Sequence, residues 1–371
     1  MASIRCPVKE ASLISQHEPA ILVKDRRFIY SEYDQYVSVT TERFRAMGVT
    51  PGERVALMVA DQWQLAVLMM ALLRAGGVAC PLSPRAKSAD LAAFLQGMGC
   101  RRIVGAGAEV VTVPDVRAYD PEDVVAFFSE TTPEESGAMI PMEQPATLFT
   151  SVDATGRSRV VAHSYGSLYY GAKGFNHGMR ASSHSRWLLL SPLWTQDGFC
   201  TAFRCAMSGG TLVIPGTRQP VVDAVEEYGV THLFADAAVV EELLSCEKGE
   251  DVLSTLGVIL VDAPEVPRGL VERGKLWNIR VCCSFSLPEM GPYVTLNRPD
   301  AAPDKRHGAG PILKYAEVQI APDGEILVRG QMLFDGYLEQ GDIRRPLTAD
   351  GWFATGRKGG IDESGCLLVT K

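Results

Sequence analysis

Two hydrophobic rhythms alternate along the first hundred residues. Phe28 to Tyr30 is a short apolar run and reads as a strand. Ser31 and Asp34 then give a capping-box-like helix start, and Tyr33, Tyr36, Val37 and Phe44 recur on one face as far as Gly48. Pro51-Gly52 marks a turn before a strand at Arg54 to Val59. A helix is predicted over Gln62 to Ala75, closed by Gly76-Gly77. A strand at Val78 to Leu82, a helix at Ala89 to Met98 and a strand at Arg102 to Val104 follow. Strands separated by helices of this length predict a parallel sheet covered on both faces.

From Asp115 to Gln144 the chain turns acidic and proline-containing ("DPEDVV", "TTPEESG") and reads as a surface connection. The alternation then resumes. "RWLLLSPL", "GGTLVIP", "THLFAD", "LSTLGVILVDAP" and "NIRVCCSF" are strand candidates, and "PVVDAVEEYGV" is a helix. Beyond residue 300 the rhythm shortens to period two with glycine turns, "AEVQIAPDGEILVRGQMLFDGYL". The expected class is α/β. Two parallel-sheet subdomains span residues 1–145 and 146–299, the second carrying a cleft, and a small β-rich unit spans 300–371.

Composition narrows the function. An apolar share of 46% over 371 residues builds a substantial core, and a net charge of −8 gives no electrostatic footprint for nucleic acid. The longest apolar run, Leu65 to Leu73, is cut by Arg74 and is shorter than the ~20 residues a membrane span requires. Residues 1–20 hold no apolar core of a secretory signal. Nine cysteines without a CxxC or Cys/His pattern read as reduced, buried thiols of a cytoplasmic protein. The six histidines show no metal spacing, and His163 reads as structural.

The stretch from Tyr30 to Arg85, with its Pro-Gly turn and Ala-Gly-Gly helix end, resembles the first α/β unit of the adenylate-forming enzymes. That family includes acyl-CoA synthetases, peptide-synthetase adenylation domains and luciferase. "LLLSPLWTQDGFCTAFRCAMSGGTLVIP" is similar to the family's substrate-cleft stretch, and "DAPEVP", "SFSLPEMG", "GEILVRGQMLFDGYL" and "GWFATGRKGGIDESGCLLV" follow in the family's order. The form "VVAHSYGSL" looks most like o-succinylbenzoate–CoA ligases. The resemblance implies two α/β subdomains plus a distorted β-barrel. It also implies a reaction in which a small carboxylic acid and ATP give an acyl-adenylate, whose acyl group passes to a thiol such as CoA. Family members carry a further C-terminal lid. Lys371 falls near the hinge into it, so either the sequence stops short of the lid or the protein lacks one, in which case a separate lid-like protein or a homodimer is the expected partner.

The resemblance assigns roles residue by residue. In "FTSVDATGRSRVVAHS", Thr150, Ser151, Thr155 and Gly156 match the loop that wraps ATP phosphates, and Arg159 stands where the family has lysine. Asp153 intrudes there. A carboxylate ~4 Å from a phosphate charge costs roughly 4 kcal/mol at an effective dielectric near 20. The loop is therefore either a revised phosphate site or a surface turn inherited with the fold. Glu289 in "SFSLPEMG" matches the glutamate that holds Mg²⁺, a hard cation suited to carboxylate oxygen. Pro288 replaces a threonine, and Phe285 would either stack on adenine or fill the core. Asp262, Ala263 and Pro264 match the adenine-pocket stretch, with Asp262 in place of glycine. Arg357 replaces the aspartate that accepts from both ribose hydroxyls. It offers donors only, a loss on the order of 1.5–3 kcal/mol per charge-assisted bond. Trp194, Thr195 and Gly198 line the expected acyl cleft, with Thr195 where many relatives carry histidine.

Two functions follow. One is an ATP-dependent acyl-CoA ligase in which Arg159 neutralises phosphate charge and Glu289 holds Mg²⁺. The other is a catalytically impaired relative that keeps the cleft as a ligand- or partner-binding surface, since positions touching ATP are altered while fold-shaping ones such as Gly336-Tyr337 survive.

Overall fold

The computed structural model describes residues 2–24, 26–105, 113–127, 138–152, 156–246, 252–261, 263, 265–297 and 309–370. Three sheets organise them, alongside a two-stranded pairing of Ser3–Arg5 with Met139–Pro141. The first sheet has eight strands in the spatial order Asp342–Arg344, Gly336–Glu339, Ser158–Ser164, Pro145–Val152, Val78–Pro81, Arg54–Met58, Arg102–Gly105 and Arg117–Tyr119. The second has seven, in the order Arg280–Cys283, Val258–Val261, His232–Ala235, Arg186–Leu188, Thr211–Ile214, Pro19–Val23 and Arg26–Ile29. A four-stranded antiparallel sheet, drawn entirely from residues 316–370, forms the half-barrel. The α/β class with an added β unit is the observed architecture.

The two large sheets exchange strands across residue 145. Pro19–Val23 ("PAILV") joins the second sheet, parallel to Thr211–Ile214 with Ile21 opposite Leu212. Such a short continuous apolar run suits a strand buried on both faces, and the sequence pattern alone did not single it out. In return, Pro145–Val152 runs parallel beside Val78–Pro81 and carries its hairpin partner into the first sheet. Tyr30 ties the exchange together, its hydroxyl 2.6 Å from Gly210 O and 3.0 Å from Cys205 O. The segment read as a surface connection also differs. It contributes Arg117–Tyr119 to the sheet edge and Met139–Pro141 to the N-terminal pairing.

The helix Gln62–Ala75 shows why the core holds. Asp61 caps it, accepting from Trp63 N at 3.1 Å, and every residue from Leu65 to Ala75 is buried. Each leucine of that run contributes roughly 1.5–3 kcal/mol by leaving water. Arg74 is buried with it and is compensated by Asp34 (2.5 Å) and Ser38 Oγ (2.9 Å). Asp34 is therefore a buried counter-ion and takes no part in capping. The helix Tyr30–Ala46 starts one residue before Ser31, and the reach-back contact is made by Glu32, which accepts from Ile29 N at 3.1 Å. No helix among the described residues is long and apolar enough to cross a membrane.

Candidate nucleotide and acyl site

The antiparallel hairpin of Pro145–Val152 and Ser158–Ser164 fixes the first group of residues. Its register sets Ser151 opposite Arg159 and Thr150 opposite Val160, so the hydroxyls and the cation stand at the strand ends beside the turn. Gly156 lies in that turn with φ +81°, exposed. Thr155, Asp262 and Pro264 lie outside the described residues.

Glu289 comes from a distant part of the chain, on the 3-10 turn Pro288–Met290, where its carbonyl accepts from Phe334 N at 2.8 Å. The structure brings it to Arg159 through a residue that sequence reasoning did not place in the site. Tyr337 donates its hydroxyl to Glu289 Oε1 at 2.5 Å, and the Arg159 guanidinium lies 4.7 Å from the centre of the Tyr337 ring. Tyr337 is set in place by the strand Gly336–Glu339, which pairs with Ser158–Ser164 so that Tyr337 faces Val161. Gly336 is required there. Its φ is +145°, and a Cβ would stand 2.4 Å from Arg344 O.

Behind this cluster, His163 is buried. Its Nδ1 lies 3.0 Å from Ser167 Oγ and its Nε2 2.9 Å from Pro288 O, while Gln196 Nε2 lies 3.1 Å from the same ring nitrogen and donates to Pro288 O at 2.7 Å. The Ser167 hydroxyl also reaches Ser164 O at 3.0 Å. Burial holds the imidazole pKa down at about 4, against a smaller upward pull from the Pro288 carbonyl. His163 and Gln196 thus brace the residue preceding Glu289.

The residues expected at the acyl cleft stand at the N-terminus of the helix Gln196–Ser208. Thr195 is its cap. The hydroxyl donates to Pro192 O (2.7 Å) and accepts from Gly198 N (3.2 Å), so it is committed to backbone. Gly198 packs against that same backbone, and a Cβ would come within 2.2 Å of Pro192 O. Trp194 is half-buried between two cavities. One of about 260 Å³ is lined by Leu82, Asp90, Phe94, Thr150 and Thr195, and one of about 310 Å³ by Gln62, Arg85, Leu190 and Ile214. Thr150 therefore belongs both to the hairpin and to the lining of one of these cavities.

The remaining expected residues stand apart from this cluster. Phe285 is only 5% exposed and belongs to the main core, which leaves little ring face for an adenine. Ala263 is half-buried at the end of the strand Val258–Val261, its amide donating to Val261 O at 2.9 Å. Arg357 is exposed on the strand Phe353–Ile361, its amide donating to Thr355 Oγ1 at 3.1 Å. Among the described residues, no hydrogen bond or ion pair links its side chain to Arg159 or Glu289.

Sequence reasoning also passed over Arg204. It is 2% exposed, 4.0 Å from the Phe175 ring, 5.0 Å from Tyr293 and 5.3 Å from Trp187, with Nη2 donating to Thr201 Oγ1 at 2.9 Å. Its Nε and Nη1, and the Tyr293 hydroxyl, have no hydrogen-bond partner among the described residues. The available signal was an arginine between Phe203 and Cys205 in an otherwise apolar helix. Among the described residues, no group of three or more His, Cys, Asp or Glu could hold a metal by itself. A single carboxylate fits a magnesium ion that arrives on a nucleotide, since magnesium keeps most of its shell as phosphate oxygens and water.

A hairpin of hydroxyls and a cation beside a carboxylate, at the junction of two α/β sheets with a half-barrel, is the framework of an adenylate-forming protein. The sequence matches the AMP-binding enzyme family over residues 10–338, and the chain belongs to that family. It is similar to the 3-[(3aS,4S,7aS)-7a-methyl-1,5-dioxo-octahydro-1H-inden-4-yl]propanoyl:CoA ligase of Mycobacterium tuberculosis, with 28% identity over 95% of this chain and 75% of that protein. It is also similar to the 2-succinylbenzoate–CoA ligase of Listeria monocytogenes, with 23% identity over 96% of this chain and 76% of that one. The fold superposes on the o-succinylbenzoate CoA synthetase of Bacillus subtilis in complex with its acyl-adenylate intermediate. That match has a TM-score of 0.86, 20% identity and full coverage of both chains.

Proposed function

We propose that this protein is an acyl-CoA ligase that activates a small carboxylic acid with ATP. The observation that carries this reading is the meeting of Arg159 and Glu289 on Tyr337, which gathers a cation and a carboxylate from positions 130 residues apart beside the hairpin turn. In the first half-reaction, a substrate carboxylate oxygen forms a bond to the α-phosphorus of ATP while the bond to the pyrophosphate oxygen breaks. Thr150, Ser151 and the turn amides would bind the phosphates, and Arg159 would offset the charge that builds on them. Glu289 would hold magnesium, which supplies further neutralisation of the phosphates when bound. In the second half-reaction, the CoA sulfur bonds to the acyl carbon, AMP leaves and the thiol proton is released. The cavities flanking Trp194 would house the acyl chain, in line with relatives that act on carboxylated ring compounds.

Three observations favour the second reading, an impaired relative retained for binding. Phe285 is buried, the Thr195 hydroxyl is committed, and Arg357 brings donors where a ribose needs an acceptor. Isothermal titration with ATP and magnesium, followed by carboxylate-dependent exchange of pyrophosphate into ATP across an acid panel, separates the two. Micromolar ATP binding with exchange supports the ligase. A folded protein with neither supports the binding reading.

A further inference from the structure

A cavity of about 550 Å³, within the size range of small-molecule sites, has no part in the reaction above. It opens between the strand Ser3–Arg5, the helix Pro7–Ile14 and the C-terminal end of the helix Gln196–Ser208. Thr195 caps the opposite end of that last helix, whose 13 residues span about 20 Å. The cavity shares no lining residue with the two beside Trp194. Ile4, Pro7, Ala11, Ile14, Met139 and Met207 make its apolar lining, and Ile14 and Met139 are 75% and 50% exposed. Large apolar side chains left so open in a concave site gain when an apolar body takes the place of water.

The polar groups give the ligand a sign. Both helices end here, at Ser15 and Gly209, and neither has a basic residue in its last turn. The carbonyls of Cys205 and Ala206 accept from Gly210 N and Gly209 N. Among the described residues, no hydrogen bond reaches the carbonyls of Ile14, Met207 or Ser208, which all belong to residues of the lining. Helix carbonyls point along the axis toward the C-terminus, so each end carries about half a negative charge. Arg5, the one basic residue among the described residues of the lining, is already paired with Glu10 at 2.7 Å. Lys173, outside the lining, lies 5.3 Å from the ring of Tyr169, which is part of it. We propose that this cavity binds an amphipathic amine. Its apolar body lies against Ile14, Met139 and Met207, and its ammonium donates to the open carbonyls at the two helix ends. A carboxylate there would meet carbonyl oxygens and Glu10. The proposal does not rest on the ligase reading.

Octylamine, octanoate and octanol share one tail and differ in head group. Each is titrated calorimetrically into wild type and into Ile14→Lys, and the binding that this substitution removes is the binding at the cavity. That difference sets aside any octanoate held on the acyl side. Ile14 is exposed at the end of its helix, so a lysine there suits the dipole, keeps the fold and supplies the missing cation. In wild type, octylamine should bind the cavity about tenfold tighter than octanol, with octanoate weaker still. Ile14→Lys should cost octylamine about tenfold or more. Glu10→Gln, at an exposed position, leaves Arg5 unpaired and should weaken octylamine while strengthening octanoate. Octylamine affinity unchanged in Ile14→Lys, octanoate bound at the cavity as tightly as octylamine, or no octylamine binding to the folded protein would each overturn the proposal.

Discussion

Lowering the pH should destabilise this protein in part through the buried His163 imidazole, by an amount set by its environment. In the folded chain the His163 pKa lies at about 4, held there mainly by burial. In the unfolded chain it returns to an ordinary value near 6.5. The folded pKa is depressed, so as pH falls the unfolded state takes up the proton first. The stabilising difference is complete above pH 6.5 and is lost progressively between 6.5 and about 4. At 1.36 kcal/mol per pKa unit, the full loss is about 3 kcal/mol, of which roughly 2 kcal/mol has gone by pH 5. That is a large part of the 5–15 kcal/mol typical of a folded domain. The assay is urea unfolding at pH 7 and pH 5 for wild type and His163→Gln. Wild type should lose roughly 2 kcal/mol more than the variant between the two pH values. Equal losses would falsify the assignment of a depressed, neutral His163.

Two further outcomes follow from the packing. Gly198→Ala would place a methyl 2.2 Å from Pro192 O and 2.4 Å from Ser191 O, and because backbone cannot step aside as a side chain does, it should cost about 1–3 kcal/mol of stability. An unchanged unfolding midpoint would refute the close approach. Arg204→Met removes a buried cation that, after burial itself, is the second cause holding His232 down at about 4. The His232 pKa, followed by NMR, should rise above that of wild type, and an unmoved value would show that Arg204 does not act on it.

The elements were more legible than their neighbours. The helix Gln62–Ala75 carries its own signals, an Asp before it and Gly-Gly after it, and the structure places it with those bounds. Sheet membership has no such local signature. Nothing in "PAILV" says that Ile21 will lie beside Leu212, because strand pairing is decided by whichever buried edge is free. The same limit applies to the site. Arg159 and Glu289 were singled out because their residue types would suit phosphate and magnesium at the matched positions. Tyr337 read as fold-shaping, since its hydroxyl partner sits 48 residues earlier and only the strand Gly336–Glu339, laid against the hairpin, brings the two together. His163 and Gln196 were similarly invisible as a pair, since only the fold brings them to each other and to Pro288 O.

This arrangement separates two substitutions that look alike in the sequence. Both Arg159 and Arg357 stand where the resemblance places another residue, a lysine in one case and an aspartate in the other. At 159 the surroundings suit arginine. A planar guanidinium can lie on the Tyr337 face and still present N–H groups in a fork that matches phosphate oxygens, whereas an ammonium is a compact, strongly hydrated point charge. The change there keeps the sign of the charge and fixes its position. At 357 the sign of the charge is reversed on an exposed strand, and Lys358 beside it is already paired with Asp323 at 2.7 Å. Nothing in that strand converts donors into the acceptor a ribose requires. On the proposed reading, the phosphate end of the nucleotide site would be a revision that physical chemistry accommodates, the ribose end would lack its acceptor, and nucleotide affinity would come chiefly from the phosphates and their cation.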